Sequence, residues 1–240
     1  MSNKFFILIP SRIGSTRLKK KPLIDIGGIS LIQRVFNNAI NITSETYVAT
    51  DSNEIFEHVS KFTKNVIMTS SDHISGTDRV YEAATELQLS DNDLVINLQG
   101  DEPFMPNGLL KKIIDDFFKV DPDVISACHS IVDKHDLLNK NCVKVIINEN
   151  GYADAFKRDV TTTNNSYVMR HIGVYGYKYK TLSKIVNLKP TESELNNKLE
   201  QLRFLDNNLS IYMTEYDKDV PPGIDTDEDL KKAEAYLKTL

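Results

Sequence analysis

The sequence has few cysteines, no long apolar run and no excess of positive charge, and each absence excludes a class of protein. Its two cysteines, Cys128 and Cys142, lie in apolar, strand-like surroundings. This predicts buried thiols in a reducing compartment and argues against a disulfide framework. The formal net charge of −5 excludes nucleic-acid binding through bulk positive charge.

Membrane insertion is also excluded by what is missing. No apolar run approaches the roughly 20 residues that span a bilayer. The N-terminal stretch MSNKFFILIP has too short an apolar core for a signal peptide and leads into a basic loop. We therefore expect a cytoplasmic protein that binds neither membrane nor nucleic acid. With 240 residues, 40% of them hydrophobic, the chain can bury a substantial core.

The first half of the chain alternates between strand and helix patterns. Apolar, β-branched runs predict strands at Phe5–Pro10, 46–50, 65–69 and 93–99, and residues with helical spacing follow each run. Thr77 is a candidate N-cap for the third helix. Alternation of this kind predicts a doubly wound α/β sheet.

After about residue 123 the pattern becomes strand-rich. Asn150-Gly151 predicts a hairpin turn, and "MRHIGVYGYKY" predicts a further strand. Helical spacing returns over Leu195–Leu205, a late strand follows in "SIYMTEY", and Thr226 with Asp229 predicts the cap of a final helix. Because the chain contains neither linker nor repeat, we predict one mixed-sheet domain over residues 1–240.

The residues with chemical potential cluster where the predicted strands end. Ligands of parallel α/β sheets bind outside the carboxyl ends of the strands. The first strand leads into "SRIGSTRLKKKPL", the second ends in Thr50-Asp51, the third precedes "SSDHISGTDR" and the fourth precedes "QGDEP". We therefore expect one face of the sheet to form a binding crevice.

The first of these loops gathers five positive charges within residues 12–21 of an acidic protein. Arg12 and Lys21 surround Gly14-Ser15-Thr16, whose backbone N–H groups could cradle a phosphate. The alternative is a solvated basic surface, but the position at a strand end favours phosphate binding. The glycine spacing matches neither a P-loop nor a dinucleotide fingerprint.

Two carboxylates are candidate metal ligands. Asp101 follows Gly100 at the end of the fourth strand, where it could hold Mg²⁺ against phosphates or, alternatively, act as a cap in the turn before a helix. Asp225 offers a second hard oxygen ligand, although an Asp before a helix also commonly serves as a cap. In "SGTDR" (75–79) the hydroxyls and Arg79 suit a carboxylate or sugar hydroxyls, and an ordinary N-cap at Thr77 is a structural interpretation that can hold at the same time.

The histidines do not have the spacing of metal ligands. His58 and His135 are expected to face solvent and His129 to pack in a strand, whereas His171 is retained as a candidate site residue. The sequence lacks a recognisable Ser-His-Asp or Cys-His arrangement, which argues against a covalent hydrolase. Charges in "KRD" (157–159) and "LEQLR" (199–203) are interpreted as structural ion pairs.

Seven motifs occur in the order seen in one enzyme family. They are "IPSRIGSTRLKKKPL", "VATD", "SGTDR", "NLQGDEP", "RHIGVYGY", "LEQLR" and "IDTDEDL". From residue 5 to about 232 the chain thus resembles the 3-deoxy-manno-octulosonate (Kdo) cytidylyltransferases. The resemblance implies a Rossmann-like, glycosyltransferase-A-like nucleotidyltransferase with three α/β/α layers and a mostly parallel mixed sheet. It implies a nucleotide-binding half (1–122) and a sugar-binding, dimerisation half (123–240).

The activity that the resemblance implies is transfer of CMP from CTP to the anomeric hydroxyl of Kdo, with release of pyrophosphate, for lipopolysaccharide synthesis. It also implies a Mg²⁺-dependent cytoplasmic homodimer with Asp101 and Asp225 as metal ligands and Arg12 and Lys21 as a triphosphate clamp. The implied nucleotide-binding residues are Pro10, Ser11, Arg12, Ser15, Lys21, Thr50, Asp51, Ser70, Ser75, Gly76 and Thr77. The implied sugar-binding residues are Arg79, Gln99, Arg158, His171, Tyr175, Glu200 and Gln201.

The chain departs from the family at two places. Lys19-Lys20 stands where the family often has Pro-Gly, and the segment between Arg158 and Arg170 is shorter than usual. The alternatives are a cytidylyltransferase for 8-amino-Kdo or a nonulosonic acid, and a non-catalytic nucleotide-sensing module on the same fold.

Overall fold

The computed structural model describes residues 4–14, 17–131, 135–160, 168–218 and 220–239, with the backbone alone at residue 135. The elements follow in the order β1 (Phe5–Ser11), a 3-10 helix (Lys21–Leu23), β2 (Asp25–Ile26), β3 (Ile29–Ser30), α1 (Leu31–Ala39), β4 (Thr46–Thr50), α2 (Asn53–Val59), β5 (Val66–Met68), α3 (Gly76–Glu86), β6 (Leu94–Asn97), α4 (Asn107–Val120), β7 (Val124–Ser130), α5 (His135–Leu138), β8 (Lys144–Ile147), β9 (Ala153–Lys157), β10 (Val168–Lys178), α6 (Tyr179–Val186), α7 (Glu192–Asn197), α8 (Gln201–Asp206), β11 (Ile211–Tyr216) and α9 (Asp227–Leu237). These elements form two compact units, residues 1–111 with 220–240 and residues 112–219.

The sheet of the first unit has the strand order β6-β1-β4-β5, with every pair parallel. β1, β4 and β6 are mostly buried apolar runs, as expected for a parallel sheet covered on both faces, whereas the edge strand β5 is half-buried to exposed. The register places Ser11 beside Thr50 and Thr50 beside Met68. The alternation predicted from the sequence is confirmed, and the loops that follow these strands begin side by side.

The helices of the first unit begin at side-chain caps. Ser30 accepts a hydrogen bond from the N–H of Gln33 at the start of α1, which buries an apolar stripe against the sheet. The predicted N-cap at Thr77 is wrong: Ser75 caps α3, and Thr77 lies buried inside it. The reason is Asp78, which stands three residues after Ser75 and completes a capping box. The capping box of Thr226 and Asp229 at α9 is confirmed.

The second unit is built around β7. This strand pairs in parallel with β11 and antiparallel with β10, whose first residues pair antiparallel with β8. The predicted hairpin is confirmed as β8–β9, with Gly151 at a φ of +81° in the connection. The helical spacing over Leu195–Leu205 corresponds to two short helices, α7 and α8, because Lys198 between them has a left-handed backbone (φ +53°).

Several smaller expectations can be checked in these units. Cys128 is buried and Cys142 half-buried, and both are free thiols, so the absence of a disulfide is confirmed. The expectation that His58 faces solvent is wrong, because its ring is half-buried and lies 2.7 Å from the Ser30 hydroxyl. His129 lies in β7 as expected. In the part of the chain that the structure describes, each helix is too short or too polar to cross a bilayer. The α/β class is confirmed, and the single-domain interpretation stays a prediction.

Candidate active site

The carboxyl ends of β1 and β4 bring several predicted nucleotide-binding residues together. Pro10 and Ser11 are buried at the end of β1, beside the fully buried Thr50. The Ser11 hydroxyl is buried and has no hydrogen-bond partner among the described residues. A Cβ atom on Gly100 would lie only 2.8 Å from the carbonyl oxygen of Pro10. Glycine is therefore required where the "QGDEP" segment passes against the end of β1.

Three residues from distant parts of the first unit form an ion cluster. The ammonium of Lys21 lies 2.6 Å from a carboxylate oxygen of Asp101 and 2.9 Å from one of Asp225. Burial opposes the charge on Lys21, but the two carboxylates, Asp101 foremost, outweigh it and raise the pKa of Lys21 above its ordinary value. Arg17 adds a second cation at 3.0 Å from Asp225. The sequence interpretation did not single out Arg17.

The backbone explains how Asp225 reaches this cluster. The chain returns to the first unit at residue 220, and the N–H of Ile224 donates to the carbonyl of Asp101 over 2.9 Å. The N–H of Asp225 then donates to the carboxylate of Asp229, which also completes the cap of α9. The two candidate metal ligands are thus on chain segments that are hydrogen-bonded to each other.

The two carboxylates of this cluster fit a magnesium ion whose remaining oxygen ligands come from substrate and water. Among the described residues, groups of three or more His, Cys, Asp or Glu side chains that could hold a metal do not occur. A pair of carboxylates is nevertheless what Mg²⁺ commonly takes from a protein when phosphates and water supply the other oxygens. Both carboxylates contact one cationic atom, the Lys21 ammonium, so they are close enough to share a cation.

The two residues predicted to clamp the triphosphate, Arg12 and Lys21, differ in their contacts with the rest of the protein. Arg12 is exposed and makes neither a hydrogen bond nor an ion pair with any residue that the structure describes, so its guanidinium is open to an anion. Lys21 is committed to the two carboxylates. Ser15 lies outside the described residues. Lys20 pairs with Glu54 at 2.7 Å and has a φ of +51°, a left-handed conformation that glycine adopts at lower cost.

Arg79 is a buried residue of α3 that bonds the segments following two strands, β4 and β5. Its side chain is 3% exposed; it contacts Asp51 at 2.6 Å, bonds the Thr69 hydroxyl and reaches the carbonyl of Ser70 at 3.3 Å. The structure therefore brings Arg79 to Asp51, a residue assigned to the nucleotide. Its assignment to the sugar stays a prediction.

The segment from Ser70 to Ser75 is fastened to α3. The N–H of Ser70 donates to Glu82 over 2.8 Å, and His73 bonds the same carboxylate. Burial raises the pKa of Glu82, but these bonds together lower it below its ordinary value. A Cβ on Gly76 would lie 3.3 Å from the Pro10 ring, so α3 starts close against β1.

Two of the predicted sugar-binding residues of the second unit, His171 and Tyr175, belong to an aromatic cluster. The ring centroids of His171 and Tyr175 are 5.6 Å apart, and Phe156 and Phe204 pack on either side. Burial, followed by the negative charge of Glu200, raises the pKa of Tyr175 well above its ordinary value. Burial lowers the pKa of His171 to about 3. Gln201 is buried in α8, next to Glu200.

Two other predicted sugar-binding residues are held by their neighbours. Arg158 donates to the main-chain carbonyls of Lys140, Asn197 and Lys198 over 2.7–3.0 Å, and thus fastens the end of β9 to the end of α7. In the first unit, the Gln99 amide donates to Asn97 over 3.1 Å. The structure does not bring Arg158 to His171 by any hydrogen bond among the described residues.

Some residues that shape the second unit carried no motif. Lys144 is fully buried, and its ammonium donates to the carbonyls of Asn139, Cys142 and Arg158 over 2.6–2.9 Å. Burial lowers the pKa of Lys144. Ser126 of β7 lies 3.0 Å from the His171 ring. The signal available for Ser126 was one hydroxyl in the apolar run "VISAC". The ion-pair interpretation of "LEQLR" is confirmed for Arg203, which pairs with Glu194 at 2.6 Å.

Comparison with known proteins first gives the class. Residues 6–211 match the family model described as Cytidylyltransferase. The fold is also that of a 4-diphosphocytidyl-2C-methyl-D-erythritol synthase, with a TM-score of 0.68 over 99% of both chains at 11% identity. That likeness shows the fold alone. The fold class inferred for the chain, a nucleotidyltransferase-type α/β fold, is thereby confirmed.

More similar proteins define the particular family. A 3-deoxy-manno-octulosonate cytidylyltransferase of Haemophilus influenzae is 37% identical over 97% of this chain and 98% of its own length. One of Lawsonia intracellularis is 37% identical over 99% of this chain and 95% of its own. A structure of CMP:2-keto-3-deoxy-manno-octonic acid synthetase complexed with CTP matches 98% of this chain and 99% of its own, at 32% identity and a TM-score of 0.91. The chain belongs to the 3-deoxy-manno-octulosonate cytidylyltransferase family.

Proposed function

We propose that this protein transfers CMP from CTP to the anomeric hydroxyl of Kdo and releases pyrophosphate. The observation that carries the proposal is the meeting of Asp101 and Asp225 at one cationic atom, the ammonium of Lys21. Its similarity over nearly the whole chain to a CMP-Kdo synthetase complexed with CTP supports the same substrate pair. The curated relatives carry the name of this activity.

The proposed binding of CTP follows from charge and burial in the first unit. Arg12 is the exposed guanidinium that an incoming triphosphate would meet, and a guanidinium can bond two phosphate oxygens at once. The unpartnered hydroxyl of Ser11 is a further donor at the end of β1. The remaining residues assigned to the nucleotide are Pro10, Ser15, Thr50, Asp51, Ser70, Ser75, Gly76 and Thr77.

Magnesium is the cofactor that this site fits. Asp101 and Asp225 would hold the ion together with phosphate oxygens of CTP. An ion held by these two residues would neutralise phosphate charge and lower the pKa of the reacting alcohol. Lys21 would exchange its contacts with the two carboxylates for contacts with phosphate oxygens, because both partners of the present ion pairs would then have other counter-charges.

The chemistry is a single displacement at the α-phosphorus. The sugar hydroxyl oxygen forms a bond to the α-phosphorus, the bond to the bridging oxygen of pyrophosphate breaks, and the hydroxyl proton passes to solvent. Arg12 and Lys21 would offset the negative charge that grows on the leaving pyrophosphate. This scheme does not require a protein nucleophile. It therefore agrees with a sequence in which a Ser-His-Asp or Cys-His arrangement is not recognisable.

Within the second unit we assign the sugar to His171, Tyr175, Glu200 and Gln201. The resemblance also assigns Gln99 and Arg79 of the first unit to the sugar, but Arg79 receives less support because its buried guanidinium already bonds Asp51, Thr69 and Ser70. His171, Tyr175, Glu200 and Gln201 offer donors and acceptors that hydroxyl groups and a carboxylate would need. Arg158 receives less support, because the nitrogen atoms of its guanidinium already donate to three main-chain carbonyls. We infer from the resemblance that the protein acts as a cytoplasmic homodimer in lipopolysaccharide synthesis, without nucleic-acid or membrane partners.

A pyrophosphate-release assay with CTP tests the proposal. Kdo, 8-amino-Kdo and sialic acid are supplied separately, and reactions without sugar or without Mg²⁺ are the controls. We expect release with Kdo at the highest kcat/KM. Preference for 8-amino-Kdo or sialic acid would support an enzyme for another acidic sugar. Binding of CTP without release from any sugar would identify a non-catalytic nucleotide-sensing module.

A further inference from the structure

The longest strand of the second unit carries an irregularity between two residues assigned to the sugar. The register between β10 and β7 shifts between Ile172 and Gly176, so that Ser126 lies opposite three residues of β10 (173–175) instead of one. A bulge of this kind leaves main-chain groups without ladder partners and redirects the neighbouring side chains. It separates His171 from Tyr175 in the strand.

The Ser126 side chain supplies partners at this bulge. It is fully buried, and its hydroxyl lies 2.9 Å from the carbonyl oxygen of Val174 and 3.3 Å from that of Ile172. The same oxygen lies 3.0 Å from Nε2 of His171. A hydroxyl has one proton to donate, whereas a carbonyl oxygen can only accept. If the Ser126 proton pointed at His171, the hydroxyl could no longer donate to either of these carbonyls.

The proton of Ser126 is therefore best placed on the bulge carbonyls, and the oxygen then accepts from Nε2–H of His171. The ring is neutral near pH 7, since burial lowers the pKa of His171 to about 3. A neutral imidazole carries one proton, so a proton on Nε2 leaves a lone pair on Nδ1. Nδ1 makes no hydrogen bond to any residue that the structure describes.

We propose that Ser126 is a positioning residue that fixes His171 in the Nε2–H tautomer, so that Nδ1 accepts a hydrogen bond from a hydroxyl group of the sugar. This inference rests on the proposed function for the identity of the substrate. In this proposal the His171 ring is a hydrogen-bond acceptor for the sugar. The bulge in β10 contributes by placing its main-chain carbonyls within reach of the Ser126 hydroxyl. Edge packing of Phe156 at a centroid distance of 5.1 Å holds the ring plane from another side.

The direct test is a nitrogen-15 NMR measurement on protein labelled at histidine, with His171→Gln used to assign the signals. We expect the wild-type protein at pH 7 to show His171 as a neutral ring with its proton on Nε2. A proton on Nδ1, or a charged ring, would overturn the proposal. This measurement needs no substrate and no variant of Ser126.

The kinetic test compares Ser126→Ala with Thr214→Val. Both variants remove one fully buried hydroxyl from the same unit, but that of Thr214 bonds Asp116 and not His171. We expect Ser126→Ala to mix the tautomers and to lower kcat/KM for Kdo by ten- to a hundredfold, with KM for CTP within twofold. Thr214→Val should leave both constants within twofold.

Equal losses for CTP and Kdo in Ser126→Ala, or an unchanged kcat/KM for Kdo, would contradict a positioning role. If Ser126→Ala fails to fold, the wild-type NMR result alone decides the tautomer. Failure of the proposed function is recognised separately, since the wild-type protein would then release no pyrophosphate with Kdo whatever the tautomer of His171.

Discussion

Lys21 and Asp101 stand eighty residues apart in the chain and form an ion pair of 2.6 Å. The same ammonium contacts Asp225, so one cationic atom bridges the two carboxylates, and Arg17 adds a second cation at Asp225. In this arrangement the carboxylates are neutralised by the chain itself. Substitutions in this cluster should therefore distinguish effects on CTP binding from effects on kcat.

Replacement of Asp101 by Asn should abolish turnover far more than nucleotide binding. The amide keeps the shape of the side chain but removes the charge that would hold Mg²⁺. We expect kcat to fall at least about a hundredfold, equivalent to roughly 3 kcal/mol or more in the barrier. The Kd for CTP, measured by calorimetry, should change less than about tenfold because electrostatic binding by Arg12 persists. Asp91→Asn, at an exposed loop position, is the control. Near-normal turnover of Asp101→Asn would refute the metal assignment.

Replacement of Lys21 by Met should increase the affinity of the free enzyme for Mg²⁺. The ammonium competes with the ion for the same two carboxylates, and a neutral side chain removes that competition. We expect the Kd for Mg²⁺ without CTP to fall by about tenfold, while KM for CTP rises. Lys20→Met is the matched control, because Lys20 pairs with Glu54 and with neither carboxylate. Equal Mg²⁺ affinities in the wild type and Lys21→Met would argue against the exchange of partners.

Arg79 and Asp51 should contribute to stability as a pair. Arg79→Met leaves a partly buried carboxylate without its partner, which costs about 3–5 kcal/mol in comparable buried pairs. We expect urea denaturation to show a loss of this order, and the double variant with Asp51→Asn should recover part of it. If Arg79→Met changed only KM for the sugar and left the free energy of unfolding unchanged, Arg79 would be a binding residue and not a structural one.

The stability of the second unit should fall at mildly acidic pH because of His171. The pKa of His171 is about 3 in the folded chain, against an ordinary value of 6.5, so the unfolded state binds the extra proton between these limits. The contribution is fully present above pH 6.5 and is lost as the pH falls toward 3. At pH 5 the loss should reach about 2 kcal/mol. Denaturation of the wild type and His171→Gln at pH 7.5, 6 and 5 checks this, since the variant should show a flatter dependence. Parallel curves would contradict the prediction.

Gly100→Ala should displace the end of β6 and with it Asp101. The added Cβ would meet the carbonyl oxygen of Pro10 at 2.8 Å, and a main-chain atom cannot move aside cheaply. We expect a loss of about 1–3 kcal/mol in the free energy of unfolding together with reduced kcat. Gly14→Ala is the control for stability alone, because its Cβ would meet no atom of the described residues within 4 Å. A Gly100→Ala protein as stable as Gly14→Ala would show that the segment yields freely.

Patterns of short range predicted the fold well. The first four parallel strands and the capping box at Thr226 follow from apolar runs and from residues three apart, which local propensity determines. The cap of α3 was misassigned because two hydroxyl residues, Ser75 and Thr77, stand close together. The choice between them depends on which one finds Asp78 at the third position.

Contacts between segments that are distant in the chain could not be predicted from patterns of this short range. Spacing along the chain does not reveal that Lys21 reaches Asp225, or that Arg158 is committed to carbonyls of α7 and its C-cap. Ser126 illustrates the same limit, since its significance depends on a register shift in a strand that follows it by more than forty residues. These relationships arise from tertiary packing and not from local sequence.

The return of residues 220–240 to the first unit has a consequence for the order of synthesis. A ribosome makes Asp101 long before Asp225, and the whole of residues 112–219 is translated between them. Closing so long a loop costs entropy that only the finished C-terminal segment can offset, through the Ile224 hydrogen bond and α9. The carboxylate pair is therefore among the last features to form on a nascent chain, and a polypeptide released before residue 225 would lack half of it.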